Sequence, residues 1–364
     1  MPSLRINLEA LRHNAEKASV WAQKWSLTLL PVLKGLDSHP RVLEVVAKAG
    51  FLRFGFSEIG EASGWGQRDN KVLIQICPPS RIKEAAELFG RSFQAEIEVV
   101  KALDKAAEGL NLTHEVFLTV DLGDAREGLN LDQLPQALEA ALTLKNIKVL
   151  GFAAILSCLS SALPDSSLFT SLEWLVNLAR AKGLMDPLIS LGGSVMLNFV
   201  ESEGLGPITE IRAGDPFLLG RDIYRQIDLP GGPYRPDVCE IQTEIVEIRL
   251  RQIGLSIGGG AKHACGQDQP PISPQGPRLR ALLELGRFHV SPGRVCGLEE
   301  NELDQLICLT PGCFVTGLTA GYIILDVTDC PLKFKAGDKI SFVPGYWAAA
   351  QAVRSASVKV EILH

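Results

Sequence analysis

The sequence lacks both a long hydrophobic run and a basic block. No stretch approaches the roughly 20 consecutive apolar residues that a membrane-spanning helix needs. The N-terminal segment MPSLRINLEALRHNAEK enters a helical pattern without the apolar core of a signal peptide. The formal net charge is −6. The sequence contains no basic block that could neutralise a run of phosphates. These absences predict a cytoplasmic protein that binds neither membranes nor nucleic acids.

Closely spaced cysteine pairs are also lacking. The eight cysteines are scattered along the chain and form no C-x-x-C motif. A chain of 364 residues is too large to need a framework of disulfides. Free thiols in a reducing compartment are therefore expected, and the length favours two domains.

Short β-rich apolar runs alternate with helical patterns over residues 7–228, which is typical of βα units and a parallel sheet. Several of the intervening helical stretches, such as RVLEVVAKAG and RIKEAAELFG, end in the glycine common after a helix. The predicted strands are 27–34, 51–57, 71–77, 93–97, 114–122, 148–155, 187–193 and 210–215. Eight βα units of this size predict a (β/α)8 TIM barrel.

The pattern changes after the Gly/Pro-rich junction DLPGGPYRP. Strand-like runs such as CEIQTEIVEIRLRQIG and FVTGLTAGYIILDVTD then predict a mostly-β second domain over residues 229–364, with residues 1–6 expected to pair with it. Residues 258–280 are dense in Gly, Pro and Gln. We interpret them as a long loop inside that domain.

Polar residues and glycines collect where the predicted barrel strands end, which is where TIM-barrel active sites lie. Glycine-bearing turns follow the seventh and eighth strands, and turns of this kind expose backbone N–H groups that bind phosphate. A lysine that ends an apolar strand is partly desolvated, which favours the nucleophilic amine. The residues at these ends are Lys34, Arg126, Gly193, Ser194, Arg212 and Gly214.

Each of these residues also has a simpler interpretation. Lys34 fits a solvated surface charge, Arg212 fits an ordinary ion-pair partner, and the Gly-Gly pair fits a plain turn. Their placement around a single end of one barrel favours a common site. A lysine beside a phosphate pocket suggests pyridoxal 5'-phosphate (PLP).

Several motifs together resemble one enzyme family. The segments INLEALRHN, VLK, DLGDAR, GGS and RAG look like those of the alanine racemase superfamily, the fold-type III PLP enzymes. The segments VDLGDAREG, LLGRD, LGR and ILDVTD are similar to the group of amino-acid racemases that includes ornithine racemase. The resemblance covers essentially the whole chain.

The resemblance implies a PLP-dependent racemase that interconverts L- and D-amino acids by two-base proton transfer at Cα. Lys34 would hold the cofactor as a Schiff base and act as one base, and Arg126 would approach its phenolate oxygen. Gly193, Ser194 and Gly214 would hold the phosphate.

Two further residues receive roles from the same resemblance. Arg212 would face the pyridine nitrogen, and Tyr346 would reach the phosphate region. An arginine only donates hydrogen bonds, so it would leave the ring nitrogen unprotonated and favour racemisation over chemistry that needs a stronger electron sink.

The sequence departs from the family pattern at several places. Ser38 stands where alanine racemases carry a tyrosine four residues after the lysine, and Ile155 or a neighbour replaces a histidine over the ring. The second base is unassigned, and His263, Cys265 and His289 are candidates because imidazole and thiol exchange protons near neutral pH. A loop histidine or buried cysteine without chemistry explains them equally well.

Two other functions remain open. His263-Ala-Cys265 resembles the zinc pair of D-serine dehydratase-like lyases, but in that family the pair lies near the C-terminus, so no metal is predicted. A non-catalytic PLP-binding protein is the second alternative, and the added β domain argues against it. By resemblance that domain completes the active site of a partner in a homodimer, and the substrate would be an amino acid, a small molecule. The sequence does not say which amino acid.

Overall fold

The computed structural model describes residues 1–160, 163–222, 227–253, 276–291 and 306–364. Contacts within the chain divide it into two compact units, one of Glu9–Pro236 and the other of Met1–Leu8 with Asp237–His364. Within the described ranges, no helix has both the length and the apolar character needed to cross a membrane.

The larger unit is a parallel barrel, as predicted. Strand β1 (Ser3–Asn7) belongs to the other unit and leads into helix α1 (Leu8–Lys24). The barrel strands follow as β2 (Thr28–Pro31), β3 (Phe54–Phe56), β4 (Lys71–Leu73), β5 (Arg91–Gln94), β6 (His114–Thr119), β7 (Ile147–Ile155), β8 (Leu188–Gly192) and β9 (Glu210–Ala213). Their spatial order is β2-β9-β8-β7-β6-β5-β4-β3, and a parallel bridge between Val32 and Gly55 joins the two ends.

Helices occupy most connections of the barrel. They are α2 (Pro40–Lys48), α3 (Ile82–Leu88), α4 (Ile97–Gly109), α5 (Leu134–Leu142), α6 (Ser167–Ala181), α7 (Val195–Glu203) and the short α8 (Asp215–Leu218). Apolar residues of helices α2 to α7 are buried, for example Val42 and Val46 of α2. Burial of such faces against the strands contributes most of the helical stability, since short isolated helices are marginal in water.

The interior of the barrel contains an aromatic layer. Phe93 of β5 and Phe117 of β6 stack with their ring centroids 5.1 Å apart, and Leu30, Val72 and Leu150 join the same buried cluster. Such a packed interior is expected of a TIM barrel, which is a core and not a pore. The chemistry of the barrel is therefore confined to its ends.

The smaller unit is mostly β, also as predicted. A two-residue pair, β10 (Arg221–Asp222) with β11 (Ile227–Asp228), precedes it. Its elements are β12 (Cys239–Ile253), β13 (Gly276–Leu283), β14 (Leu306–Cys308), β15 (Phe314–Leu318), β16 (Ile323–Asp326), β17 (Lys339–Pro344), α9 (Tyr346–Arg354) and β18 (Lys359–Leu363). Strand β1 pairs antiparallel with β12 and parallel with β18.

The predicted long loop in this unit needs one correction. Residues 276–280 belong to β13, which pairs antiparallel with β12 from Gly276↔Ile253 onward. The loop was predicted from the Gly- and Pro-rich composition, which disfavours strands. Pairing with β12 nevertheless makes these residues a strand. Residues 258–275 of the predicted loop lie outside the described residues.

Cys308 and Cys313, which are close in the sequence, meet the more distant Cys330 in the smaller unit. The thiol of Cys313 is in hydrogen-bonding contact with those of Cys308 and Cys330. The turn at Gly312 lies close to the turn at Asp329 because Gly312 has no side chain. A Cβ on Gly312 would lie 2.5 Å from the Asp329 carbonyl oxygen. Burial raises the pKa of the Cys308 and Cys313 thiols, so these two are protonated at neutral pH.

Candidate active site

Lys34 lies just beyond the carboxyl end of β2, which is shorter than the predicted strand. The strand ends at Pro31, and Lys34 begins a single turn of 3₁₀ helix that extends to Leu36. Its side chain is half-buried, and within the described part of the chain its ammonium has no hydrogen-bond or ion-pair partner. A partly desolvated and unpaired amine is suited to nucleophilic chemistry.

Strand β2 and the turn after β9 come into direct contact through Gly214. The Val32 amide donates to the Ala213 carbonyl oxygen at 2.9 Å, and a Cβ on Gly214 would lie 2.6 Å from the Val32 carbonyl oxygen. Only glycine therefore allows this approach. The contact holds the segment that carries Lys34 beside the turn after β9.

The turns after β8 and β9 present a group of hydrogen-bond donors. Gly193 has a φ of +115°, and its amide donates to the Arg212 carbonyl oxygen at 3.1 Å. In the described structure, the amides of Ser194, Val195 and Gly214 have no acceptor. Ser194 also precedes helix α7, whose dipole favours an anion at this end. These residues fit a phosphate group.

Arg212 is buried inside the barrel, 8% exposed, in strand β9. Its guanidinium lies over the face of Phe93, 4.5 Å from the ring centroid. Burial lowers the pKa of Arg212 to about 10, while Glu210 opposes the shift. The group thus stays a cation at neutral pH and can only donate hydrogen bonds.

The hydrogen bonds of Arg212 leave donors for a ligand. Nη1 donates to the carbonyl oxygen and to Oγ of Ser190, at 3.0 and 2.8 Å, and Nη2 donates to the Ala154 carbonyl oxygen at 2.8 Å. An arginine has five N–H groups, so two have no acceptor among the described residues. Gly192 makes room for this arrangement, since a Cβ there would lie 2.6 Å from Nη2.

Arg126 lies in the loop after β6 and is held on two sides. Its Nε donates to Oε2 of Glu127 at 2.5 Å, Nη2 donates to Oε1 of the same carboxylate, and Nη1 donates to Sγ of Cys158 at 2.7 Å. The hydrogen bonds to Glu127 raise the pKa of Arg126 above its usual range. Cys158 belongs to the loop after β7, so this contact joins two adjacent loops at the strand ends.

A buried carboxylate fixes these two loops. Asp124 is 1% exposed, and its Oδ1 accepts hydrogen bonds from the amides of Cys158, Leu159 and Ser160 at 2.8 to 3.1 Å. The Ser160 hydroxyl donates to the same oxygen at 3.2 Å. The loop that carries Arg126 therefore positions Cys158.

Two hydroxyl groups among the described residues are buried without a partner. Ser38 lies four residues after Lys34 and has a φ of +47°, and Thr119 ends strand β6. Neither Oγ of Ser38 nor Oγ1 of Thr119 has a hydrogen-bond partner. Such groups are costly to bury without a partner, and each one calls for an explanation.

The structure brings together six of the predicted site residues, which all lie in the barrel unit: Lys34, Arg126, Gly193, Ser194, Arg212 and Gly214. His289 and Tyr346 lie in the other unit. Nδ1 of His289 accepts a hydrogen bond from the Gly286 amide at 2.9 Å, and Tyr346 begins α9 with its ring edge-on to Trp347. His263 and Cys265 lie outside the described residues.

Sequence reasoning missed four residues that support this site. They are Ser190, Glu210, Asp124 and Cys158. One signal was available for Glu210, because residues two apart on a strand point to the same side and Arg212 follows it by two. Cys158 and Asp124 lie in loops, where no periodicity indicates a contact.

Known proteins are similar to this chain in sequence and in fold. A profile of the family described as "Alanine racemase, N-terminal domain" matches residues 6–215, which is more than half of the 364 residues. The chain belongs to this alanine racemase family. The predicted family and enzyme class are thereby confirmed.

Two racemases are similar to this chain along nearly their whole length. Ornithine racemase of Acetoanaerobium sticklandii is 26% identical over 100% of this chain and 99% of its own. Lysine racemase of Thermotoga maritima is 24% identical over 98% of this chain and 97% of its own.

Solved structures of alanine racemases show the same fold. Alanine racemase from Streptomyces coelicolor A3(2) superposes with a TM-score of 0.75 at 17% identity, over 100% of this chain and 98% of that protein. D-threonine aldolase from Filomicrobium marinum gives a TM-score of 0.71 at 13% identity, over 98% and 89%. The barrel with its β domain thus serves both racemases and an aldolase.

Proposed function

We propose that this protein is a PLP-dependent amino-acid racemase. The unpaired amine of Lys34 carries the proposal, because it lies beside a turn whose donors suit a phosphate. Relatives named for ornithine and lysine racemisation support the reaction class. We therefore propose α-amino acids as substrates, with ornithine and lysine the first to test.

The residues of the barrel fit the chemical groups of PLP. The amine of Lys34 would hold the aldehyde carbon, and the donors of Gly193, Ser194 and Gly214 would hold the phosphate. Arg212 has two N–H groups left for the pyridine nitrogen. Arg126 retains two N–H groups beyond its bonds to Glu127 and Cys158, enough for the phenolate oxygen. The role of Tyr346 at the phosphate stays a prediction.

When bound, PLP supplies an electron sink for the charge left on Cα after its proton is removed. The residues of this chain must then move that proton. We propose that the Lys34 amine takes up and returns the Cα proton on one face of the substrate. A second base acts on the opposite face, and His263, Cys265 and His289 remain the candidates.

Arg212 supports racemisation over other reactions. Its guanidinium stays protonated near neutral pH and only donates hydrogen bonds. It therefore does not transfer a proton to the ring nitrogen, which stays unprotonated. A weaker electron sink limits the side reactions open to the substrate. The cation–π contact with Phe93 and the hydrogen bonds to Ser190 fix the guanidinium for this role.

We also propose that the protein works as a homodimer. Several large apolar side chains of the smaller unit are exposed, and such side chains are favoured in interfaces. They include Phe288, Phe314, Tyr322, Leu332 and Trp347. Sedimentation equilibrium would contradict the proposal if the protein were monomeric at micromolar concentration.

The first experiment tests the cofactor. The wild-type protein loaded with PLP is expected to show a visible absorbance band, and Lys34→Ala is expected to lose it. Lys48→Ala is the matched control, because Lys48 is exposed on α2. A band that survives in Lys34→Ala would contradict the assignment of this residue.

The second experiment tests the reaction. The loaded protein is incubated in D₂O with a panel of amino acids, beginning with ornithine and lysine. Deuterium at Cα and the appearance of the opposite enantiomer are expected for at least one of them. Release of ammonia that a chelator abolishes would indicate a metal-dependent lyase instead. A bound cofactor without any exchange would indicate a non-catalytic PLP-binding protein.

A further inference from the structure

A chain of charged side chains runs through the barrel interior from Arg212 to strands β5 and β6. We infer that Glu210, acting through the hydroxyl of Ser190, is the positioning residue that fixes Arg212 and compensates its charge. The inference rests on the proposed function, in which Arg212 faces the ring nitrogen of the cofactor. It adds a carboxylate that acts on the cofactor without touching it.

Strand geometry places the three side chains together. Glu210 and Arg212 are two residues apart on β9, so both side chains point to the same side of the strand. In the parallel pairing of β8 with β9, Ser190 lies opposite Glu210 and Gly192 lies opposite Arg212. The missing side chain of Gly192 leaves space for the guanidinium.

The hydroxyl of Ser190 has a defined direction. Its Oγ lies 2.6 Å from Oε1 of Glu210 and 2.8 Å from Nη1 of Arg212. A guanidinium only donates, and a hydroxyl has one proton to give. The hydroxyl therefore accepts from Arg212 and donates to Glu210. In this orientation the hydroxyl dipole points its negative end at Arg212, so it adds to the stabilisation of the guanidinium by Glu210.

A second arginine holds the far side of Glu210. Nη1 of Arg91 donates to Oε2 of Glu210 at 3.1 Å, and its Nε and Nη2 donate to Oε2 of Glu115 at 3.1 and 2.9 Å. Glu210 and Arg91 are 3% and 6% exposed. Both oxygens of Glu210 thus have partners, so the carboxylate cannot rotate away from Ser190.

The stacked aromatic rings complete the arrangement. Arg212 lies over Phe93, and Arg91 lies over Phe117 at 5.4 Å from its centroid. Two guanidinium groups therefore border the two stacked rings, and Glu210 bonds directly to Arg91 and, through Ser190, to Arg212. Without its carboxylate, Arg91 would keep only Glu115 as an anionic partner, and Arg212 would lose the negative charge that most opposes the effect of its burial.

Among the described residues, three charged side chains act on the pKa of Arg212. Burial lowers the pKa of Arg212, and the charge of Glu210 opposes this shift most. Glu127 also raises the pKa but more weakly, and Arg126 lowers it. Loss of the Glu210 charge therefore changes the electrostatic potential at Arg212 more than any other single substitution at these residues. Any group that Arg212 contacts would experience the same change.

The test uses the PLP-loaded protein and the pH titration of its visible absorbance band. Glu210→Gln is expected to lower the apparent pKa of that transition by about one unit, because a negative charge beside Arg212 is removed. Glu115→Gln is the matched control, since Glu115 also binds Arg91 but touches neither Ser190 nor Arg212. It is expected to move the transition by less than about a third of that shift. Equal shifts in the two variants would overturn the inference.

A second pair of variants tests the Ser190 hydroxyl and does not depend on whether Glu210→Gln folds. Ser190→Ala is expected to lower the same apparent pKa by a smaller amount, and Ser190→Thr, which keeps a hydroxyl, is expected to restore the wild-type value. A wild-type titration of Ser190→Ala would overturn the inference. Absence of the absorbance band from the wild-type protein would instead contradict the proposed function.

Discussion

At the scale of single residues, two glycines shape the candidate site. Gly192 leaves room for the guanidinium of Arg212, and Gly214 leaves room for the carbonyl oxygen of Val32. In both cases a Cβ would come within 2.6 Å of the neighbouring atom. These glycines are required by close approach of other atoms, and the φ angle of neither is positive.

The first prediction concerns Gly214. Gly214→Ala is expected to weaken PLP binding at least about tenfold, because the new Cβ pushes the Lys34 segment away from the turn after β9. The affinity is measured by titrating the apoprotein with PLP and following its absorbance.

The matched control is Gly109→Ala at the end of α4, where a Cβ would have no atom within 4 Å. Its affinity is expected to equal that of the wild type. Equal affinities in both variants would show that the contact with Val32 does not position Lys34.

At the scale of elements, the loops after β6 and β7 behave as one structure. Asp124 of the first loop binds the backbone of the second, and Arg126 then reaches Cys158. Two residues with positive φ support this shape, Ala125 at +56° and Ser157 at +58°. Such angles are unusual for residues with a side chain, so the hydrogen bonds of Asp124 must offset their cost.

The second prediction concerns this carboxylate. Asp124→Ala is expected to lower the free energy of unfolding by about 2–3 kcal/mol, because three amides and a hydroxyl of the loop after β7 lose the buried carboxylate that accepts their hydrogen bonds. Asp124→Asn is expected to lose less, since one amide oxygen can replace Oδ1, which accepts most of the bonds.

Urea unfolding of the three proteins measures this difference. Asp165→Ala serves as the control, because the Asp165 carboxylate is exposed and, among the described residues, bonds only to Ser167 in its own turn. Identical unfolding midpoints for Asp124→Ala and the wild type would mean that the loop holds its shape without the carboxylate.

At the scale of the whole molecule, a buried histidine links stability to pH. His114 begins strand β6 and is fully buried, with Nε2 at 2.8 Å from Oγ of Ser92. Burial, and then the nearby charge of Arg68, lower the pKa of His114 to about 4. In the unfolded chain the same ring titrates near 6.5.

The third prediction follows from this difference. Below pH 6.5 the unfolded chain binds a proton that the folded protein does not, so stability is lost as the pH falls from about 6.5 to about 4. The full contribution is about 3 kcal/mol. Unfolding midpoints in urea, measured across this range, are expected to fall.

The variant His114→Gln separates this histidine from the carboxylates that titrate in the same range. It is expected to flatten the decline, because glutamine has no proton to bind. A wild-type slope in His114→Gln would assign the acid sensitivity to other groups.

Much of this architecture could be predicted from the sequence. The barrel strands are buried on both faces, so they appear as apolar runs, and counting eight such runs indicated the barrel. Lys34, Arg126 and Arg212 were found because a polar residue near the end of an apolar run is conspicuous. The strand ends themselves were less predictable, since the first strand stops at Pro31 and not at Lys34.

The partners of these residues were not predictable in the same way. Ser190, Glu210 and Arg91 meet inside the barrel from three different strands. Pattern analysis treats each strand separately, so it gives no distance between them. The cluster of Cys308, Cys313 and Cys330 was missed for the same reason, because the end of β14 and two separate turns bring its members together.

The sequence by itself determined the order of the elements, the closed barrel and the positions of the reactive side chains near the strand ends. Periodicity along the chain is a local property, and burial of apolar faces needs no knowledge of distant partners. Only the tertiary structure decided which hydrogen-bond and ion-pair partners each charged side chain has. The hydrogen bonds from Arg212 through Ser190 to Glu210 depend on strand register, and register is fixed only when all strands pack together.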